Sequence, residues 1–429
     1  MRTLETFANA LQTAYNRLHE HEFKAGACMR PEDFSRDRKL DFVKTFLLIL
    51  RGTKKSLQAN INAFLQEIKL EQETYSKQAF SKGRQRIKPE AFLELFTVVT
   101  DNYYNTEEFR TLRGYRVTAI DGVYYSLPNT DELFEVYGAL HHKLGALQVQ
   151  AQGSCLYDVL NGVMMDVSLF PYAASERHIA ELHLKALQKY KFEKELVLMD
   201  RGYPALDLFD SFNDKGFNFL IRCPKNGFIK EIQYLKSEDE MISHLYRPKG
   251  SKDKREISLR AITIKLENED EEILLTNLFD KAFTVQDFKE LYRLRWKIET
   301  RYDDIKNKLQ IENFSGNTQI AIQQDFYATM FLTNMAAFAQ IDCEKELSKK
   351  QKKADQIHEY KPNVSMLIST LKLDFIKMFL ETSDRKQKKI FNRMMKQLRQ
   401  YVVPIRPNRS YKRQHKHPSL KFPNNSKNL

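Results

Sequence analysis

Five short apolar runs in the middle of the chain constrain its fold more than any other feature. They are rich in Val, Ile, Leu and Phe and end near turn residues, which is typical of buried strands. The runs are YRVTAID, LGALQVQAQGSCLYDVL, GVMMDVSLFP, ELVLMD and FNFLIRC, and helical segments separate the last three. Three adjacent strands followed by alternating helices and strands predict an α/β domain built of layers.

Helical periodicity predominates before this domain and, beyond a β insertion, also after it. Before it, DFVKTFLLIL, KKSLQANINAFLQEI and PEAFLELFTVV carry apolar residues three and four positions apart. After it, KREISLRAITIKL and EEILLTNLFD predict a mainly β insertion within residues 226–283. A strong helix is then predicted from about Val285 to Leu309, and the chain beyond it is predicted to be helical to about Tyr401.

The positive charge of the chain is concentrated near its C-terminal end. The formal net charge is +13, from 69 basic and 56 acidic residues. The segment Arg385–Leu429 holds fourteen Lys or Arg and no acid, and 69 − 14 = 55 basic residues against 56 acids leave the rest near neutral. A polyanion is the expected partner, with DNA or RNA ahead of a membrane surface. The alternative is a solvated tail that aids solubility.

The cysteines and the apolar segments give no sign of export or of a membrane. Cys28, Cys155, Cys223 and Cys343 lie far apart, without zinc-ligand spacing. They are therefore interpreted as core thiols of a protein in the reducing cytoplasm. The N-terminus has no signal-peptide run, and the apolar stretch Tyr327–Ile341 is too short to span a bilayer.

Two of the predicted strands end in an acid followed by a glycine-containing turn. These acids are Asp121 in AIDGVYYSLPNT and Asp200 in LVLMDRGYP. A carboxylate at the carboxyl end of a strand faces the crevice where open α/β sheets bind ligands. A divalent ion would make two such charges favourable neighbours. A single Asp would be better explained as a turn cap, but the pair favours a metal site.

A third acid lies in the predicted helix, within YRLRWKIETRYDDIKNK. At about 100° per residue, Tyr292, Arg295, Glu299 and Lys306 fall within an arc of about 60°. An i,i+4 salt bridge explains Arg295 and Glu299 but not the other two. Asp303 shares this face and is a rival third carboxylate.

Two strand-end carboxylates and one helical carboxylate suit a pair of hard cations, and Mg²⁺ is the expected cofactor. Two such ions can hold the attacking and the leaving oxygen of a displacement at phosphorus. Arg295 and Lys306 would then hold the phosphates of the substrate. The residue types therefore predict phosphodiester chemistry on a nucleic acid.

These motifs resemble those of a known family. The spacing Y-x2-R-x3-E-x6-K matches in full the signature of transposases of the IS-four insertion-sequence family. DRGYP and DG…LPNT are similar to the other two acidic motifs of that family, and SKQAFSKGRQRIKPEAF resembles its N-terminal segment. The resemblance covers roughly residues 30 to 345. One departure is Val123, where Ser or Thr often follows the Asp-Gly pair.

The resemblance implies a fold class and a domain order. The expected fold is an α/β ribonuclease-H-like catalytic core, a mixed five-stranded sheet with helices, preceded and followed by helical regions. The core would comprise residues 113–225 plus 284–345, with the β-rich insertion at 226–283. Residues 1–112 would form a helical DNA-binding region, and residues 346–429 a helical region with the basic tail.

The resemblance also implies an activity. It implies cut-and-paste transposition with two Mg²⁺ ions, for which Mn²⁺ is expected to substitute, acting on terminal inverted repeats and target DNA. Asp121, Asp200 and Glu299 would be the catalytic metal ligands, while the signature Tyr, Arg and Lys would contact transposon-end DNA. A homodimer would bring two ends together.

A basic helix in the N-terminal region is a further candidate for DNA contact. Ser76 is a plausible N-cap, and Lys82, Arg84 and Arg86 follow it. Such a helix can enter a major groove, supported by the helix predicted at residues 54–68. A solvated basic helix face explains the same pattern equally well.

Trp296 and two histidines have more than one interpretation. Trp296, the only tryptophan, is either a core anchor or a stacking platform for a DNA base, as in relatives that close a hairpin. His178 and His183 are interpreted as surface or packing residues.

Two other functions stay open at this point. One is a metal-dependent nuclease that does not transfer strands, and the other is an inactive DNA-binding repressor derived from a transposase. A strand-transfer assay would separate them. An ATP-driven motor is disfavoured, since GxxxxGK[ST] does not occur.

Overall fold

The structure is a computed structural model that describes residues 6–36, 39–52, 56–70, 73–106, 108–141, 147–226, 228–248, 250–265, 271–351 and 360–404. Its helices are α1 (Thr6–His19), α2 (His21–Ala27), α3 (Phe42–Arg51), α4 (Leu57–Glu67), α5 (Lys77–Arg84), α6 (Glu90–Thr106), α7 (Asp131–Tyr137), α8 (Glu176–Leu187), α9 (Leu206–Asp214), α10 (Val285–Leu294), α11 (Trp296–Asp303), α12 (Gln319–Gln351), α13 (Val364–Leu380) and α14 (Asp384–Gln400). Its strands are β1 (Arg116–Ser126), β2 (Ala139–His141), β3 (Leu147–Asp158), β4 (Val163–Pro171), β5 (Glu195–Met199), β6 (Asn218–Cys223), β7 (Asp239–Tyr246), β8 (Arg255–Lys265), β9 (Glu271–Thr276), β10 (Tyr360–Pro362) and β11 (Val402–Pro404).

The chain divides into two compact units, here called the helical unit and the sheet unit. The helical unit comprises Met1–Glu107, Tyr125–Ala151 and Asp304–Leu429, and the sheet unit comprises Glu108–Tyr124 and Gln152–Asp303. Strands β1 and β3 each cross from one unit to the other.

The sheet has the strand order β2-β3-β1-β5-β6-β9-β8-β7, and β4 pairs with β3. Strand β5 is parallel to both β1 and β6. The five strands predicted from the apolar runs are β1, β3, β4, β5 and β6, and α8 and α9 are the two predicted helices between them. These are the elements predicted for the α/β domain, whose boundaries at residues 113–225 and 284–345 stay a prediction.

The segment 226–283 supplies the far edge of the same sheet. Strand β9 pairs antiparallel with β6, then β8 with β9 and β7 with β8. The predicted strands KREISLRAITIKL and EEILLTNLFD are β8 and β9. These strands extend the core sheet by hydrogen bonding, and the boundaries at residues 226 and 283 stay a prediction.

A buried ion pair fixes where β1 and β5 begin to pair. In the parallel ladder Arg116 is the partner of Glu195, and the guanidinium Nε donates to Glu195 Oε1 at 3.0 Å and to Oε2 at 3.1 Å. The side chains are 1% and 0% exposed, and the rings of Phe109, Tyr190 and Phe192 surround the guanidinium. Burial makes this pair strongly dependent on both partners.

The helical unit confirms the three helices predicted near the N-terminus as α3, α4 and α6. Helices α1, α6 and α12 pack together, and their buried polar groups are satisfied between helices. The Phe7 N–H donates to Asp342, and the Asn334 amide donates to Thr100. The apolar stretch Tyr327–Ile341 lies within α12, mostly buried.

Within the described residues, no helix combines the length and apolarity needed to cross a membrane.

We expect Arg116→Met or Glu195→Leu alone to lower the free energy of unfolding by about 3–5 kcal/mol, because each leaves a buried partner uncompensated. The double change Arg116→Met with Glu195→Leu should cost clearly less than the sum of the two. Urea titrations of all three variants measure this. Arg113→Met is the control, since Arg113 pairs with Asp287 at the surface and should cost no more than about 1 kcal/mol. Additive single effects in the double variant would contradict the coupling.

Candidate active site

The register of β1 and β5 brings two of the predicted acids side by side. The ladder runs from Arg116↔Glu195 to Ala119↔Leu198, so the next two pairs in the same register end at Asp121 and Asp200. Asp200 directly follows β5, as predicted. Asp121 does not end its strand: β1 continues to Ser126, and only its pairing with β5 ends near this point. Both carboxylates therefore lie at the carboxyl edge of a parallel pair.

The third acid lies on a helix that is interrupted. The chain is helical from Val285 to Lys308, as predicted, but not as one regular helix: α10 ends at Leu294, α11 begins at Trp296, and residues Asp304–Lys308 form a π-helical turn. The Arg295 N–H bonds to the Tyr292 carbonyl, three residues back, which tightens the backbone at the break. The 60° arc calculated for a straight helix therefore does not apply across Arg295.

Arg295 links two of the three acids. Its Nη2 donates to Glu299 Oε1 at 2.8 Å, and its Nη1 lies 3.6 Å from Asp121 Oδ2. The side chain is only 2% exposed, and its Nε and Nη1 have no hydrogen-bond partner within the described part of the chain. Burying the N–H groups of a guanidinium without hydrogen-bond partners costs free energy. The positive charge of Arg295 nevertheless lies where it offsets the negative charges of Asp121 and Glu299.

Asp200 has its own cation. Arg222 Nη2 lies 3.0 Å from Asp200 Oδ1, and its Nη1 donates to Glu272 at 2.6 Å. The Tyr292 hydroxyl also points to Asp200, at 3.5 Å, and burial raises the pKa of that phenol. The arginine and the tyrosine of the predicted signature therefore face the acids. Tyr292 is 5% exposed, and its contact with DNA stays a prediction.

Asp121 lies in an environment that disfavours the negatively charged form of its carboxyl group. Burial raises the pKa of its carboxyl to about 7, with Glu299 and Asp200 acting in the same direction. Arg295 and the Gly122 N–H oppose the increase, and the latter donates to Oδ1 at 2.9 Å. Asp200 and Glu299 are thus both within electrostatic reach of Asp121.

The backbone carbonyl of Asp121 is held from two sides. The Tyr302 hydroxyl donates to it at 2.7 Å and the Ser154 hydroxyl at 3.2 Å. Ser154 in turn bonds to Nε2 of His183, whose Nδ1 lies 2.8 Å from Asp166. His183 is therefore the packing residue that was predicted, and it supports the strand that carries Asp121. The predicted surface residue His178 is exposed.

Trp296 is 48% exposed, so its interpretation as a core anchor is wrong. The Arg295 guanidinium lies over its ring at 5.0 Å, a cation–π distance. Asp303, the rival third acid, lies at the exposed end of α11. The charge of Glu299 acts on Asp121, and Arg295 pairs with both of these acids, which favours Glu299.

Lys306 belongs to the helical unit, on the π-helical turn. Its ammonium lies 3.8 Å from Glu312 and 5.4 Å from the centre of the Tyr125 ring. Its predicted role in binding phosphate stays a prediction.

The predicted N-terminal DNA contacts separate into two kinds. Helix α5 begins after Ser76, whose hydroxyl accepts from the Ala79 N–H, as the N-cap prediction requires. Arg84 is 3% exposed and donates to Gln324 and Asp325, so it fastens α5 to α12 and the structure corrects its assignment to DNA. Lys82 is exposed and Arg86 half-exposed, and they line one groove with Arg30 and Arg36.

Sequence reasoning missed four polar residues of the sheet unit that lie around the acids. They come from parts of the chain that are far apart in sequence: Gln152, Glu176, Tyr203 and Arg222. Two features of the sequence could have indicated two of these residues. Glu176 begins α8 directly after a serine, and Tyr203 lies in the DRGYP motif.

The donor set fits a hard divalent cation. All the candidate ligands are carboxylates, the oxygen donors that such an ion prefers. In the residues described, no three acidic, imidazole or thiol groups converge as closely as one ion requires. The buried guanidinium of Arg295 lies between Asp121 and Glu299 and is the charge that balances them here.

Comparison with known proteins shows the family to which the chain is similar. A family model described as "Transposase DDE domain" matches residues 112–335, more than half of the chain. The match contains all three acids and both arginines that pair with them.

Two transposases are similar over most of the chain. "Transposase InsG for insertion sequence element IS4" from Escherichia coli (strain K12) is 23% identical over 294 residues, which cover 66% of this chain and 63% of that protein. "Transposase for insertion sequence element IS1151" from Clostridium perfringens is 25% identical over 360 residues, covering 68% of this chain and 73% of that protein. The chain thus spans slightly less than two thirds of the first relative.

A solved structure shares the fold. The chain resembles piggyBac transposase, solved by cryo-EM as a synaptic complex with hairpin DNA, with a TM-score of 0.52 and 9% identity. The superposition covers 90% of this chain and 85% of the other. The predicted fold class, an α/β ribonuclease-H-like core with helical regions on both sides, is confirmed.

Proposed function

Because the chain belongs to the family of transposases with a DDE domain, we propose that it cuts DNA at the ends of an insertion sequence and transfers them to a target. The observation that carries the proposal is the grouping of three acids: Asp121 and Asp200 follow the same register of two parallel strands, and Arg295 pairs with both Asp121 and Glu299. Family membership implies dependence on a divalent metal ion. The finer assignments below extend that statement to this chain.

Asp121, Asp200 and Glu299 are proposed as the metal ligands. We propose two Mg²⁺ ions, with Mn²⁺ able to substitute, because carboxylate oxygens suit both. When bound, such ions activate the attacking oxygen and stabilise the leaving oxygen at phosphorus. Arg295 and Arg222 position the acids through ion pairs, at Asp121 and Glu299 and at Asp200 respectively.

The proposed partners are the terminal inverted repeats of the element and its target DNA. Lys82, which is exposed, and Arg86, which is half-exposed and lies 3.6 Å from Asp33, are proposed to contact the ends. Tyr292, Arg295 and Lys306 are proposed to contact end DNA near the cut. For Arg295 this requires that contacts with DNA phosphate replace its ion pairs with Asp121 and Glu299. A homodimer would hold two ends together. We propose that the reaction occurs in the cytoplasm, since the four cysteines are buried and unpaired.

Helix α14 offers a surface for DNA backbone that depends on no base sequence. Its exposed residues Arg385, Lys388, Lys389 and Lys396 fall within an arc of about 100° at roughly 100° per residue. None of the four has an ion pair among the residues described, whereas Arg393 on the same helix pairs with Asp374. The basic tail that was predicted to bind DNA lies outside the described residues beyond position 404.

We expect Asp121→Ala, Asp200→Ala and Glu299→Ala each to abolish cleavage while DNA with the element's ends still binds, since the acids act on the reacting phosphate and not on end recognition. Asp303→Ala, on the same helix as Glu299, is the matched control and should retain most activity. Cleavage and strand transfer are followed on labelled DNA with and without Mg²⁺.

Three outcomes decide this test. If Glu299→Ala retains cleavage activity and Asp303→Ala loses it, the assignment of Glu299 as the third ligand is wrong. Full activity in all three acid variants would refute the proposed site. Cleavage by the unaltered protein without any strand transfer would identify a nuclease.

Trp296 is proposed to stack against a base of the end DNA. Since the ring is half exposed, Trp296→Ala should lower the free energy of unfolding by less than about 1 kcal/mol. It should weaken binding of end DNA by about 1–3 kcal/mol, the contribution of one stacked base. In the unaltered protein, adding end DNA without metal should quench the emission of this single tryptophan. Unchanged emission at saturating DNA would contradict the stacking contact.

We expect that changing Arg385, Lys388, Lys389 and Lys396 together to Gln flattens the slope of log affinity against log salt. Each neutralised phosphate contributes about 0.9, so the slope should fall by up to about 3.6, equally for end and random DNA. Filter binding across a salt series measures it. The control changes four exposed lysines at and after the end of α8 to Gln, namely Lys185, Lys189, Lys191 and Lys194. An equal effect in both variants would show a response to net charge alone.

A further inference from the structure

Glu176 is a carboxylate that the predicted triad does not include. It is the first residue of α8 and is half-buried. A Cβ built on Gly202 would lie 2.7 Å from Glu176 Oε2, and one built on Gly122 would lie 3.8 Å from Oε1. The carboxylate is therefore packed between the glycine that follows Asp121 and the glycine two residues after Asp200.

The two glycines explain how this carboxylate reaches the acids. Gly202 has no positive φ, so its backbone does not require glycine. What it provides is space, since any side chain there would meet the Glu176 carboxylate at far less than a normal contact distance. Gly122 likewise lies against Glu176 and Gln152. The glycines of both acidic motifs thus make room for one shared neighbour.

Gln152 gives a second, independent sign of an incomplete site. Its side chain is 1% exposed, and its Nε2 would lie 3.2 Å from a Cβ on Gly122. Its Oε1 has no hydrogen-bond partner among the described residues. A buried amide oxygen without a donor is unfavourable unless a cation or a bound group satisfies it. The same amide, through its Nε2, lies at the glycine that the Glu176 carboxylate also approaches.

We propose that Glu176 is a fourth acidic ligand of the divalent metal site, beside Asp121 and Asp200. The ligand class is a hard divalent cation, because every donor is oxygen. The inference rests on the proposed function, which assigns metal to the other acids.

A helix-capping role is the competing explanation, since a glutamate in the first turn interacts favourably with the helix dipole. That role needs only exposure near the N-terminus of α8. It accounts neither for the contact with Gly202 nor for the unsatisfied oxygen of Gln152. The two explanations differ in metal binding, because a dipole effect alters the stability of the metal-free protein only.

The test measures Mn²⁺ binding to the full chain without DNA, from the electron paramagnetic resonance signal of free Mn²⁺. Glu176→Gln should lower the affinity tenfold or more, in the range seen when groups that support a metal site are removed. Glu181→Gln is the matched control on the same helix: it makes the same charge change, and Gln can still accept from Ser211. Its affinity should equal that of the unaltered protein.

Asp200→Asn separates the two levels of the proposal. If it loses Mn²⁺ while Glu176→Gln binds normally, Glu176 is not a ligand and the proposed function stands. If neither Asp121→Asn nor Asp200→Asn affects Mn²⁺, the metal site itself is wrong. Circular dichroism melts of the metal-free variants confirm that each is folded.

Gly202→Ala tests the geometry without changing any charge. The new Cβ would displace the Glu176 carboxylate, so Mn²⁺ affinity should fall in the otherwise unaltered protein. In a Glu176→Ala background the same change should add no further loss, because the side chain it displaces is gone. Equal losses in both backgrounds would overturn the proposal that Gly202 acts through Glu176.

Discussion

The parallel pairing of β1 with β5 is the constraint on which the rest of the site depends. Arg116 and Glu195 form a buried ion pair at one end of this ladder, and Asp121 and Asp200 continue the same register five residues later, since 121 − 116 and 200 − 195 are both 5. Successive side chains in a strand alternate between faces, so an odd separation sends the ion pair and the acids to opposite faces. A slip of one residue would reverse that arrangement. A pair of core charges thereby sets the positions of two catalytic candidates.

The second constraint is electrostatic. Three acids grouped beside a sheet repel one another, and burial makes the cost larger. Here Arg222 pairs with Asp200 and Arg295 lies between Asp121 and Glu299. The unused donors of Arg295 indicate that these ion pairs do not satisfy it fully. Replacing a partly hydrogen-bonded guanidinium by a metal ion breaks fewer hydrogen bonds, and therefore costs less free energy, than replacing a fully hydrogen-bonded one.

The sequence predicted the elements better than their junctions. Strand and helix identities followed from periodicity, because burial on one face leaves a local pattern; β5 and α8 are examples. The break at Arg295 and the continuation of β1 beyond Asp121 were missed. Both depend on tertiary partners, namely a buried guanidinium and a strand that changes neighbours. The prediction that Arg84 contacts DNA was wrong for the same reason. Its charge suggested DNA, and its partner Asp325 is identified only in the folded structure.

The acids were predictable because each lies in a local motif, whereas their supporting residues were not. Glu176 and Gln152 come from a helix and a strand that are separated from the motifs in sequence. Within the motifs, only the glycines indicate that these side chains lie nearby. A glycine in a catalytic motif is usually explained by a turn that requires a positive φ. Gly202 shows that this explanation is incomplete, because its φ is ordinary and its missing side chain is what admits a carboxylate. Motif glycines with ordinary backbone angles therefore indicate where a neighbouring element approaches the site.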